Sequence, residues 1–213
     1  MKTNLKEQMT DTLNPAEKFL TIRRNTGELL AKLSPEDACV QSMPDASPAK
    51  WHAAHTSWFF ETFILKNYEG NFSPFDKNYE SLFNSYYNSI GEQFSRPFRG
   101  LITRPTLSTI EAYRNNINER VLHLLDNRID QKLRQLLELG LNHEQQHQEL
   151  LVMDIKHLLS INPTNPSFDE QKLTTSSMKK SQWIEFEGGL LIFGRSDSLF
   201  HFDNEGPAHK RFL

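Results

Sequence analysis

The strongest constraint in the sequence lies between Asp130 and Leu159, where Leu133, Leu136, Gly140, His143, His147, Leu150 and Asp154 follow one another at steps of three and four residues. That period predicts one long amphipathic helix whose buried stripe carries two histidines. Three further stretches repeat the pattern. Phe19, Ile22, Thr26, Leu29, Leu30 and Leu33 mark a first helix that starts at Pro15, is capped by Asn14 and runs toward Ser34-Pro35. After Ser47-Pro48, Trp51, His55, Trp58, Phe59, Thr62, Phe63 and Leu65 mark a second, strongly apolar one. A third starts at Thr106, with Leu107, Ile110, Tyr113, Ile117, Val121 and Leu124 on one face.

Between the second and third helices Gly70, Pro74, Gly91, Pro97 and Gly100 break any period. The segment reads as a long, aromatic-rich connection with room for a short helix around Tyr79 to Ser89. Connections of that length inside a compact domain are more often functional than idle. The expected fold is therefore all-α, a four-helix bundle over residues 10–161 with a long crossover between helices 2 and 3. Residues 162–182, rich in Pro, Asn, Ser, Thr and Lys, read as a linker. From Trp183 to Phe193 short apolar runs broken by Gly188-Gly189 read as strands. Residues 183–213 are too few to bury a core of their own, and the expectation is a tail or the opening of an incomplete second domain.

Composition narrows the function. With 37% hydrophobic, 11% aromatic and 24% charged residues the chain is globular and not disordered. The 24 basic and 27 acidic residues leave no basic footprint for a phosphate backbone, so no nucleic-acid partner is expected. No stretch approaches the roughly 20 apolar residues that span a bilayer, and the N-terminus has no apolar signal region, so no membrane partner is expected either. The single cysteine, Cys39, excludes an intramolecular disulfide and a Cys-rich zinc module, and fits a soluble, cytoplasmic protein.

Histidines and carboxylates remain as metal ligands, and His143 and His147 stand four apart on one helix face, where two imidazoles can converge on one ion. Burying two such rings is costly unless each polar nitrogen finds a partner, and an ion is a partner for both. A His-x-x-x-His pair on an exposed helix face, doing nothing, is the plain alternative. For a third ligand the second helix offers His52 and His55. His55 shares its face with Trp51, Trp58, Phe59 and Thr62 and is preferred, while His52 reads as a partly exposed ring near the helix start. Three imidazoles suit Zn, Fe, Ni or Cu, and ligand type does not choose among them. Glu149 and Asp154 are candidates to accept ring N–H groups, with a solvated carboxylate the plain reading of Glu149. In the long connection Arg96, Arg99 and Arg104, fixed by Pro97 and Pro105, could hold a carboxylate-bearing small molecule, or simply pair with acidic surface groups.

Three strings together resemble the N-terminal DinB-like domain of ergothioneine-type sulfoxide synthases: Trp51-His52-Ala53-Ala54-His55-Thr56-Ser57-Trp58-Phe59-Phe60-Glu61-Thr62, Arg96-Pro97-Phe98-Arg99-Gly100-Leu101 and His143-Glu144-Gln145-Gln146-His147-Gln148-Glu149. Trp183 to Gly194 and Phe202 to His209 are similar to the first strands of the formylglycine-generating-enzyme-like domain that follows in that family. The resemblance implies a DinB-like bundle, Fe(II) held by His55, His143 and His147, and Arg96 and Arg99 binding the substrate's carboxylate. It implies a reaction joining a small thiol, cysteine or gamma-glutamylcysteine, to trimethylhistidine with dioxygen. Because the second domain has only begun at Leu213, the expectation is a chain that binds iron but turns over poorly or not at all: an excised piece, a split product whose partner chain carries the missing C-terminal domain, or a remnant. The competing expectations are a DinB-like thiol transferase using Zn or Ni, and a non-catalytic metal-binding or interaction domain.

Overall fold

The computed structural model describes residues 14–85, 91–127, 129–169, 180–197 and 199–213. Residues 10–13 of the expected bundle, residues 86–89 of the expected short helix and residues 170–179 of the expected linker lie outside the described residues. The chain divides into two compact units, Met1–Glu170 and Gln171–Leu213.

The first unit is built from four long helices. Helix α1 spans Pro15–Leu30; the Asn14 side chain accepts the Ala16 N–H at 3.1 Å and Pro15 occupies the first turn, so the start matches the sequence signal. It ends short of Ser34-Pro35, because Ser34 and Asp37 exchange backbone-to-side-chain hydrogen bonds of 3.1 Å that turn the chain. Helix α2, Ala49–Phe60, is buried along its whole length. It continues through a π-helical turn, Glu61–Leu65, into a last turn, Lys66–Tyr68. Of the expected short helix, Tyr79–Leu82 is helical, whereas Phe83 to Ser85 are not. A 3₁₀ turn covers Arg96–Leu101. Helix α3 spans Leu107–Asn127 and α4 spans Gln131–Ser160, with Asp130 Oδ1 accepting the Leu133 N–H at 2.8 Å as its cap.

The apolar stripes meet in one core: Phe19 and Ile22 from α1, Trp58 and Phe60 from α2, Ile110, Tyr113, Ile117 and Val121 from α3, and Leu133, Leu141, Leu151 and Ile155 from α4. On α4 the buried line runs through Leu137, Leu141 and Glu144, and Leu150, expected inside, is exposed. Glu144 is fully buried, and all four helices converge on it. Its Oε1 accepts from Arg114 Nη2 at 2.9 Å and Thr26 Oγ1 at 2.7 Å, and its Oε2 from Arg23 Nη1 at 3.0 Å. Arg23 also donates to Asn118 Oδ1 and Ser57 Oγ, and Arg114 to Thr56 Oγ1 and the Ala53 carbonyl. Burial by itself would raise the Glu144 pKa, but the two guanidiniums outweigh it and hold it at about 2. Burial, aided by Arg114, lowers Arg23 to about 10, which leaves it charged at neutral pH.

In the second unit β1, Leu190–Phe193, pairs antiparallel with β2, His209–Phe212, with Leu190 opposite Phe212 and Phe193 opposite His209. The expected strand is shorter than the apolar run that suggested it, since Trp183 to Gly188 forms none. Gly194 has φ of 82°, and a Cβ there would lie 2.7 Å from the Pro207 carbonyl oxygen, so only glycine fits. Among the described residues no helix is long and apolar enough to cross a membrane.

Removing Glu144 strands two buried cations, and the loss of one partner from such a cluster costs about 3–5 kcal/mol. Glu144→Leu is expected to lower the unfolding free energy measured by urea titration by that amount, with Glu144→Gln, which keeps acceptor capacity, losing less.

Candidate metal centre

His55 on α2 meets His143 and His147 on α4, and one ligand atom from each lies within 4.8 Å of the others. The contact needs α2 and α4 to approach closely, and Gly140, one turn before His143, permits it: a Cβ there would meet Phe60 Cε1 at 2.7 Å and Phe59 Cε1 at 3.0 Å. The His55 ring is held between indoles, stacked on Trp51 at 4.7 Å and on Trp58 at 5.5 Å. Its Nδ1 donates to the Phe83 carbonyl at 2.6 Å, which leaves Nε2 as a bare lone pair. That Nε2 lies 3.1 Å from His143 Nε2. Two nitrogens bound at 2.0–2.1 Å to one ion sit about 3 Å apart when their bonds meet near a right angle, so the pair is spaced for a shared ion. His143 packs its ring against Phe59 at 4.7 Å, and its buried Nδ1 has no hydrogen-bond partner.

Burial depresses all three basicities. The His55 and His147 pKa values lie well below the ordinary histidine value, from desolvation first and then from neighbouring imidazoles, and burial takes His143 down to about 4. Three neutral rings, each with a nitrogen within 4.8 Å of the others, fit an N-preferring divalent metal ion.

His52, expected to be partly exposed, is 3% exposed. Its Nδ1 is 2.9 Å from His147 Nδ1, and its Nε2 is 3.0 Å from Asp154 Oδ2, which also accepts the Ser47 N–H at 2.8 Å. Its place one turn before His55 on a strongly apolar helix was the available signal, and its nearness to the helix start argued for exposure instead. Asp154 is buried and takes the acceptor role, whereas Glu149 is exposed. The Glu144 cluster was missed as well. Arg23 stands between Ile22 and Thr26, Arg114 follows Tyr113, and Glu144 follows His143, so opposite charges on core stripes were its sequence signature.

The arginine turn packs beside the site. Arg99 is 4% exposed, donates to Ser47 Oγ at 2.9 Å and sets its guanidinium 3.4 Å from the centroid of Trp51, the indole that stacks on His55. Gln41 clasps this turn, accepting the Gly100 N–H at 2.7 Å and donating to the Arg96 carbonyl at 2.9 Å. Arg96 is half-buried and donates to the Asp45 carbonyl. Arg104 is exposed and bonds the Thr103 carbonyl, away from this arrangement.

The fold and site together define a helical bundle with a three-histidine centre between two of its helices. The model of the DinB superfamily matches residues 18–151, more than half of the chain, and the chain belongs to that superfamily. No curated protein matches it.

Two outcomes are expected. Alanine at position 140 gains up to about 1 kcal/mol of helix propensity but forces two phenyl rings apart, and overpacking costs about 1–3 kcal/mol, so Gly140→Ala lowers the melting temperature. For metal-stripped protein, the histidines bind protons more weakly folded than unfolded, so the unfolded state gains protons first as pH falls below about 6.5. Stability is full above that value and declines through the window down to about 4 for His143. Urea midpoints at neutral pH and near pH 5 measure it, with a loss on the order of 1–2 kcal/mol for His143 alone.

Proposed function

We propose that the bundle is the iron(II)-binding domain of an ergothioneine-biosynthesis-type sulfoxide synthase. The observation that carries the reading is the meeting of His55, His143 and His147 beside an arginine-bearing turn, the residues on which the sequence resemblance rests. In the net reaction the thiol S–H and the imidazole C2–H of trimethylhistidine give way to S–C and S=O bonds. Dioxygen supplies the sulfoxide oxygen, and its second oxygen leaves as water with both hydrogens.

The three imidazoles would hold Fe(II), which supplies dioxygen activation and a coordination position for the thiolate. Arg99, fixed by Ser47, Trp51 and the Gln41 clasp, is the group best placed to receive the carboxylate of cysteine or gamma-glutamylcysteine through a bidentate pair. Arg96, bonded to the Asp45 carbonyl, shapes the same turn. The trimethylhistidine pocket would need a further domain beside the bundle. The exposed Leu190, Ile192 and Phe212 of the β1–β2 hairpin are the surface on which it would build. Without it the bundle binds iron and turns over poorly.

A zinc- or nickel-dependent thiol transferase is the second reading, supported by the donor set itself, since three neutral imidazoles suit those ions equally. Metal analysis of protein purified anaerobically from iron-supplemented cells, beside His147→Ala, separates the two. Near-stoichiometric iron that is lost in the variant is expected. Zinc or nickel at the same site favours the transferase, and no metal in either sample overturns both. Oxygen uptake with the thiol and trimethylhistidine by iron-loaded protein tests the reaction itself; no uptake, with or without an added second domain, counts against it.

A further inference from the structure

We propose that Asp154 and His52 form a hydrogen-bonded relay that holds His147 in the tautomer with a bare Nε2, making both of them positioning residues for a metal ligand. The inference rests on reading the three histidines as a metal site. It concerns how that site is prepared before any ion arrives.

The direction of each hydrogen bond follows from the one before it. Asp154 Oδ2 already accepts the Ser47 N–H at 2.8 Å, so toward His52 Nε2, 3.0 Å away, it is again the acceptor and the proton sits on Nε2. A neutral His52 then carries a lone pair on Nδ1. His147 Nδ1 lies 2.9 Å from that lone pair, and a hydrogen bond between them requires the proton to be on His147. The other nitrogen of His147, Nε2, is left bare. On α2 the Phe83 carbonyl achieves the same for His55 by accepting from Nδ1 at 2.6 Å. Two rings from two helices are thus set, by outer partners of different kinds, to offer the same atom.

A merely structural role accounts poorly for this chain of groups. Asp154 Oδ1 is buried without a hydrogen-bond partner, so the carboxylate is desolvated more than its two bonds repay. Well-packed apolar residues of similar volume would serve the core as well or better. Helix geometry explains how both ends reach His147. His52 precedes His55 by three residues on α2, and Asp154 follows His147 by seven on α4, so the same helix contact that joins His55 to His143 places His52 between His147 and Asp154. A carboxylate behind the relay also makes His147 the more basic donor, because its Nδ1 proton is drawn toward a negative charge.

The test uses the full chain with ¹⁵N-labelled histidine, stripped of metal, in long-range ¹⁵N–¹H correlation spectra at neutral pH. The expected spectrum of the unmodified protein shows His147 protonated on Nδ1 and bare on Nε2. His52→Phe and Asp154→Leu are expected to mix the two forms at His147 and to weaken zinc binding, measured by competition with a chelator, about 10- to 100-fold. Asp154→Asn, whose carbonyl can accept both bonds without the charge, keeps the tautomer and loses less affinity. A His147 protonated on Nε2 overturns the proposal, as do His52→Phe and Asp154→Leu variants that fold and bind zinc as tightly as the unmodified chain. If a variant does not fold, the spectrum of the unmodified protein still decides. If His147→Ala leaves zinc affinity unchanged, the metal-site reading fails, and the tautomer is settled separately by that spectrum.

Discussion

A single buried carboxylate fixes how the helices are turned toward one another. Glu144 accepts from α1 and α3 directly, and its two arginine partners bond to groups of α2, so none of the four helices can rotate without stranding a charge. An unpaired buried charge costs more than any single apolar contact, which makes the cluster a determinant of geometry more than a source of net stability. With Glu144 locked inward, the helical step of about 100° per residue puts His143 and His147 on the same flank of α4, the flank that faces α2. The centre inherits its direction from a group that takes no part in it.

The second requirement is closeness. Burial of every residue of α2 leaves its polar side chains only internal partners: His52 has an imidazole and a carboxylate, His55 a carbonyl, and Lys50 the Pro105 carbonyl at 3.1 Å. Gly140 removes the one side chain that would hold the Phe59 and Phe60 rings away from α4. Stacking of His55 on Trp51 and Trp58 then restricts the ring so that its Nε2 meets the two from α4 instead of sweeping through rotamers. Arg99, lying on Trp51, extends the same packed stack to the Arg96–Leu101 turn.

The helices and the three converging histidines were legible because periodicity of three and four reports which residues share a face, and His143, His147 and His55 each fall in an apolar register. Periodicity is weaker at deciding the centre of a stripe. Leu150 was placed inside and is exposed, while the true line passes through Glu144, which an apolar-residue count skips because it is charged. The same blindness hid Arg23 and Arg114, since each is satisfied only by partners distant in sequence. His52 was misread for a related reason: proximity to a helix start argues for exposure only when the helix start is exposed, and here Pro48 and Ala49 are buried. The strand-like run from Trp183 was overextended because apolar residues around Gly188-Gly189 look alike whether or not they find a pairing partner.

The three imidazoles are alike in chemistry and unlike in support. His147 is backed through His52 by a carboxylate, His55 by a neutral carbonyl, and His143 by no hydrogen bond at Nδ1, only by the Phe59 ring. Donor strength should fall in that order, because polarisation of the outer N–H toward an acceptor raises the basicity of the inner nitrogen. A divalent ion held by three neutral donors keeps most of its charge, and the guanidinium of Arg99 adds to the positive potential. Anionic groups would therefore be favoured beside an ion held there over neutral ones. A thiolate whose own carboxylate can reach an arginine satisfies both sources of that potential at once, which is why the electrostatics of the centre and the proposed substrate class point the same way.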